Sequence, residues 1–186
     1  MPDRRTFLSM GIAGLALAGC VRPPDMEGGA EVAKLAGALM AMGPQVDPEE
    51  AERAARVAYA RTHELAIAYQ ITDPPLVHNT KVNMGLRPRG LCWHWADDME
   101  ARLREERFAT LRLHRAIANA DNAFRIDHST VILAAAGDSL FDGMVLDPWR
   151  KGGRLTWAIT RKDTDYKWVA RNKVFEELAR RRAGRA

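Results

Sequence analysis

Cys92 is the residue through which this chain can do covalent chemistry. It stands in Arg89-Gly90-Leu91-Cys92-Trp93-His94-Trp95-Ala96, a glycine turn running straight into a helical pattern that puts Trp95, Ala96, Met99 and Leu103 on one face. A thiol on the first turn of a helix feels the positive end of the helix dipole, which favours the thiolate and nucleophilic attack. The plainer reading is a buried, inert structural cysteine, and the partners decide between the two. A thiol nucleophile needs a base, usually histidine, and the base needs an acceptor that orients it. His128 lies on a strand-like run, 126–135, that turns near Gly137 into a second run, 143–147, ending at Asp147. If the two runs pair antiparallel, His128 and Asp147 become neighbours.

Arg89, Gly90, Cys92 and Ala96, a histidine opening a strand at His128, and the pair Asp147-Pro148 together resemble the core of the transglutaminase-like cysteine enzymes, within the broader papain-like superfamily. The likeness runs from Arg89 to Trp149. It implies a triad with Cys92 as nucleophile, His128 as base and Asp147 as orienter, in a papain-like α+β core that needs no metal or cofactor. The activity implied is that of a cysteine hydrolase of the peptidase or amidase type acting on a peptide, isopeptide or amide, with acyl transfer to amines as a variant. The same core with a dead site is instead a binding or scaffold protein. Two positions depart from the pattern. Ser129 and Thr130 follow the histidine where the family often has an aromatic residue, and Leu86 stands where papain-type enzymes carry glutamine. The oxyanion hole then reduces to the Cys92 backbone N–H, with Asn83 or Asn79 as the candidate side-chain donor. Trp93 and Trp149 are candidate cleft walls.

Rival constellations fail on spacing. Gly137-Asp138-Ser139-Leu140 spells a serine-esterase signature, but that site needs a later histidine and none follows His128. His63-Glu64 begins a zinc-protease pattern whose second histidine position, 67, is Ile. Cys92 and His94, two apart on a helix, point to different faces and make no metal pair. His114 lacks an Asp-Pro hairpin partner, and His78 falls in an irregular approach to the cysteine, where it reads as a surface or hydrogen-bonding residue.

The elements that must position these groups can be sketched from pattern. Asp47-Pro48-Glu49-Glu50 is an N-cap, a proline at the first helical position and an acidic first turn, and it opens a helix expected over 48–69. Residues 76–91 read as irregular. A helix begins at Cys92, strand-like runs follow over 109–116, 126–135, 143–147 and 155–160, and a last amphipathic helix covers 172–182. Helices first and antiparallel strands afterwards argue for an α+β domain with helices packed on a sheet.

The domain from 46 to 186 follows two leading segments. Residues 1–19 carry Arg4-Arg5 and then a short apolar run ending in Leu17-Ala18-Gly19-Cys20, which resembles a bacterial lipobox cut before an acylated Cys20. Arg4-Arg5-Thr6-Phe7-Leu8 resembles a twin-arginine export motif. Residues 20–45, with Pro23-Pro24, Gly28-Gly29 and Gly43-Pro44, read as a tether holding at most one short helix, 31–42. The resemblance implies a lipoprotein of the bacterial cell envelope on the periplasmic face, with Val21 favouring the outer membrane. The 186 residues carry a formal charge of +4, but six cations against two acids lie in 171–186 and the body from 20 to 170 is near neutral. That balance argues against a nucleic-acid partner, and the terminal arginines read as a solvated face with weak attraction to anionic headgroups. Replacing Cys20 by Ala is expected to move the protein from the membrane to the soluble fraction. Membrane retention with the signal still cleaved would rule this anchor out.

Overall fold

A computed structural model describes residues 23, 24 and 26–184; the signal segment and Cys20 lie outside the described residues. The fold is α+β. Among the described residues five helices run α1 Gly29–Met40, α2 Pro48–Ala68, α3 Pro75–Asn83, α4 Cys92–Arg104 and α5 Arg171–Ala183. Five strands, β1 Leu111–Ala118, β2 His128–Ala135, β3 Met144–Asp147, β4 Thr156–Ile159 and β5 Val169–Ala170, form one antiparallel sheet in the order β4-β3-β2-β1-β5.

Helix α2 starts as its sequence demands, with the Asp47 carboxylate accepting from the Glu50 N–H at 2.9 Å and Pro48 at the first position. Its face of Ala51, Ala54, Ala55 and Ala58 lets α1 come close, and both helices join α4 on one side of the sheet. Strand β2 is the central strand and is buried along its whole length. Val131, Leu133 and Ala135 point to the helices, while Ile132 packs with Val145 and Trp168 on the other side.

Two expectations change. The short helix expected within the 20–45 tether forms, but as part of the domain: α1 buries Leu35 and Leu39 completely in the main core. Each such leucine contributes about 2 kcal/mol, so α1 is part of the domain and the boundary falls near Gly28. Residues 76–91 also contain a helix, α3, begun by Pro75 at its first position.

Glu50 stitches the helical layer to the sheet. Its nearly buried carboxylate accepts from the Ala109 N–H at 2.6 Å, the Thr110 N–H at 2.8 Å and the Thr110 hydroxyl at 2.6 Å, just ahead of β1. Burial would raise its pKa, but these donors and then the Arg53 cation outweigh that and hold it below the ordinary value. A depressed carboxylate stabilises the fold above its unfolded pKa and ceases to do so as pH falls through the folded one. Glu50→Ala is expected to cost about 2–4 kcal/mol in urea unfolding at neutral pH, and to flatten the loss of wild-type stability below about pH 4.5.

Candidate active site

The strand register alone brings histidine and aspartate together. β2 and β3 pair as Val131 with Leu146 and Ile132 with Val145. Extending that ladder puts Thr130 opposite Asp147, and His128, two residues earlier, on the same face and diagonal to it. The contact forms: His128 Nε2 lies 2.6 Å from Asp147 Oδ2, with both side chains 2% exposed or less. The Thr130 hydroxyl donates to the Leu146 carbonyl at 3.0 Å and braces the same strand ends.

The cysteine arrives from the helical layer. Gly90 has a φ of +127°, and a Cβ there would sit 2.4 Å from His78 Nε2, so only glycine fits this turn. His78 is buried, and its Nε2 bonds the Arg89 carbonyl at 2.9 Å, which fixes the turn from behind. Cys92 is then the first residue of α4. His94 closes the helix start: its Nδ1 accepts from the Gly90 and Leu91 N–H groups at 3.1 and 3.2 Å. Burial first, and then the Arg89 cation, lowers the His94 pKa, which suits a ring that must accept at Nδ1. The Cys92 N–H, at the first helical position, has no intrahelical carbonyl to bind and can donate to a ligand.

Cys92 and His128 line one cleft of about 310 Å³, with Trp93, Asp97, Arg115, Ile117, Asp127, Ser129, Arg171 and Phe175 as the rest of its wall. The thiol donates to the Asp127 carbonyl at 3.4 Å. With Nε2 of His128 taken by Asp147, the ring atom left for the sulfur is Nδ1, which is buried and has no hydrogen-bond partner among the described residues. Burial alone would depress the imidazole, but the Asp147 charge and hydrogen bond, and after them the Cys92 thiol, push it up to about 9.

The remaining sequence candidates fall in different places. Trp93 is half exposed on the cleft wall. Trp149 packs tilted against His128 at 4.7 Å between ring centroids and is anchored by donating to Asn79 Oδ1 at 3.1 Å, so it backs the imidazole rather than lining the cleft. Asn79 is thereby an anchor for that indole. Asn83 is exposed at the end of α3 and is not part of the cleft wall, because α3 turns its Asn79 side inward. His114 is opposite Ile132 in the sheet and does not reach the Cys92 cleft.

Arg150 completes the site and was not singled out from the sequence. Its Nε donates to Asp147 Oδ2 at 3.0 Å and its backbone N–H to Oδ1 at 3.1 Å, while its two terminal nitrogens grip Asp163 at 3.1 and 2.7 Å. The guanidinium lies 4.7 Å over Tyr166, and Trp168 donates to Asp163 Oδ2 at 2.9 Å. Tyr166 and Trp168 in turn pack tilted against His128 at 4.5 and 5.3 Å between ring centroids. The sequence signal was present, since Arg150 follows Asp147 by three residues, but its second partner lies thirteen residues further on.

No family model matches the chain, and no curated protein or solved structure matches it either. Among the described residues no three histidine, cysteine, aspartate or glutamate side chains group as metal ligands, and no helix is long and apolar enough to cross a membrane.

The raised imidazole couples to stability. A group that titrates near 9 when folded and near 6.5 when unfolded stabilises the fold fully below the lower value and loses that contribution as pH rises through the higher one. Wild-type urea midpoints are expected to decline between about pH 6.5 and about pH 9, and those of His128→Gln to stay flatter across the same range. Parallel curves would show that the buried His128–Asp147 contact does not carry the proton.

Proposed function

We propose that the protein is a cysteine hydrolase that cleaves peptide, isopeptide or amide bonds by acyl transfer, with a transglutaminase-like core, held by an acylated Cys20 at the periplasmic face of a bacterial envelope. The observation that carries this reading is the junction of Cys92, first residue of α4, with a His128 ring whose Nε2 is held by Asp147 at 2.6 Å and whose Nδ1 is unpartnered. The family likeness rests on the order Arg89, Gly90, Cys92, His128, Asp147 and Pro148, and on a cysteine-bearing helix packed against an antiparallel sheet.

The chemistry follows from these atoms. In the reactive site His128 Nδ1 holds the proton that Cys92 has given up, as a thiolate–imidazolium pair, and the Cys92 sulfur attacks the carbonyl carbon of the scissile amide. The carbonyl oxygen gathers negative charge next to the Cys92 N–H and the start of α4, both of which favour an anion. As the C–N bond breaks, His128 returns its proton to the leaving amine and a thioester remains on Cys92. Water, deprotonated by the same ring, releases the acid; an amine in its place gives transfer. Asp147 holds the imidazole in the tautomer that presents Nδ1 to the sulfur, and it stabilises the imidazolium.

A scaffold reading draws on one observation, the thiol donating to the Asp127 carbonyl, which ties up its proton in the resting site. Alkylation separates the two readings. At about pH 6.5 an ordinary thiol of pKa ≈ 8.5 is only ~1% thiolate. Cys92 is therefore expected to react with iodoacetamide up to about 100-fold faster than cysteine in a peptide, followed by mass spectrometry of the folded protein. His128→Ala should remove most of that advantage at neutral pH and little of it at high pH, where solvent ionises the thiol unaided. Asp147→Asn should fall between. Equal rates for Cys92 and the peptide, or no effect of His128→Ala, would leave the scaffold reading in its place.

A further inference from the structure

Helix α5 carries positive charge to the cleft that the triad does not use. Arg171, its first residue, and Phe175, one turn on, form part of the wall around Cys92, with the Arg171 guanidinium 5.0 Å over the Phe175 ring. Phe175 and Trp93 are each about half exposed, at 49% and 48%, and supply an apolar rim beside the sulfur. Ile117 on β1 belongs both to this cleft and to a second cavity of about 380 Å³ between α5 and the loop after β1. Val169, Val174 and Leu178 give that cavity apolar surface, and Arg125, Lys167 and Lys173 give it cations.

Charge bookkeeping distinguishes these cations from an ordinary solvated face. Arg115 at the cleft is held by Asp97 and Glu100 at 2.6 and 3.0 Å, and Arg181 in the second cavity by Glu177 at 2.9 Å. Among the described residues, Lys167, Arg171 and Lys173 have no carboxylate partner, and Arg125 meets only the Asp165 carbonyl and the face of Tyr166. Against these four stand two carboxylates without an ion-pair partner, Asp121 and Asp127. The surplus is local, on a domain body whose charges otherwise nearly cancel. A local surplus of one sign of charge beside apolar walls concentrates ligands of the opposite sign.

We infer that the Cys92 cleft and the cavity beside it select an acidic peptide, with an apolar side chain lying against Trp93 and Phe175 and carboxylates held by Arg171, Lys173 and Lys167. That this peptide is a substrate rests on the hydrolase reading above; that it binds does not. The rings suit a side chain next to the reacting bond, and the flexible ammonium groups suit carboxylates further along the chain, because lysine acts as a mobile point charge rather than a fixed fork.

Protection of Cys92 in the full chain tests this. Iodoacetamide labelling is followed in the presence of acetyl-Leu-Glu-Glu amide or its neutral counterpart acetyl-Leu-Gln-Gln amide, at low salt. The acidic peptide is expected to halve the labelling rate at about a tenfold lower concentration, and the preference should shrink in about 0.5 M NaCl, where screening acts over a few ångströms. In a protein carrying Arg171→Gln and Lys173→Gln the two peptides should become alike. Equal protection by both peptides in the wild type overturns the inference even if the variant does not fold. Protection by an oligothymidylate trimer as strong as that by the acidic peptide also overturns it, since the site would then bind anions of any kind. Should Cys92 prove to have only ordinary reactivity, the hydrolase reading falls, yet the comparison can still be made at about pH 9, where any accessible thiol alkylates.

Discussion

A carboxylate with 1% of its side chain exposed must be answered on both oxygens, and Asp147 organises the molecule around that requirement. One oxygen meets His128 Nε2 and Arg150 Nε together, and the other meets the Arg150 N–H. The first partner fixes the register of β2 against β3, because a slip of one residue would turn His128 to the helical side of the sheet. The second partner reaches away from the sheet to Asp163, and so binds the chain after β4 into place. Site and fold therefore share one electrostatic knot. A change at Arg150 acts on both, since it strips a cation from two carboxylates that are almost wholly buried.

The knot also sets the protonation of the His128 imidazole. Asp147 pulls the His128 proton equilibrium upward, whereas Arg150, sharing the same oxygen, draws on the same negative charge. Around them Trp149, Tyr166 and Trp168 pack against the imidazole. These rings keep water from the His128–Asp147 contact, where a competing solvent hydrogen bond would let the ring turn. The aromatic residue that the family resemblance often places shortly after the histidine is absent here, and rings from elsewhere in the chain pack on the imidazole. The polar pair Ser129 and Thr130 is used differently: Ser129 accepts from Arg115 at 3.0 Å and Thr130 ties β2 to β3.

Local signals made much of this legible. The Asp47-Pro48 start, the glycine before Cys92 and the two alternating runs on either side of Gly137 are chemistry readable within a few residues, and α2, α4, β2 and β3 form where they point. Helix α1 was legible as a short helix over 31–42 but was assigned to a tether because glycine and proline flank it, and only tertiary packing of Leu35 and Leu39 shows that it belongs to the core. Helix α3 was hidden by a mixed pattern with no clear apolar stripe, since it buries only His78 and Asn79. His128 and Asp147 could be brought together from a single hairpin, with Cys92 supplied by α4. The partners that hold the pair, Asp163, Tyr166 and Trp168, come from an irregular segment with no periodicity, so no spacing rule links them to His128.

The terminal charge illustrates how folding redistributes what composition lumps together. Read along the chain, the cations of 171–182 are one block, and a solvated face is the natural assignment. On the helix they separate by turn. Arg180 and Arg181 close onto Glu177, three and four residues back, and neutralise one another's field locally. Arg171 stands five and six residues before Glu176 and Glu177, beyond the reach of a helical pair, and Lys173, three and four residues before them, forms no ion pair while Glu177 is engaged by Arg180 and Arg181. The uncompensated charge lies at the start of α5, the end that meets β5 and the wall of the Cys92 cleft. Helix α5 packs on β1 and β5. The order of its charges decides what the neighbouring cleft attracts.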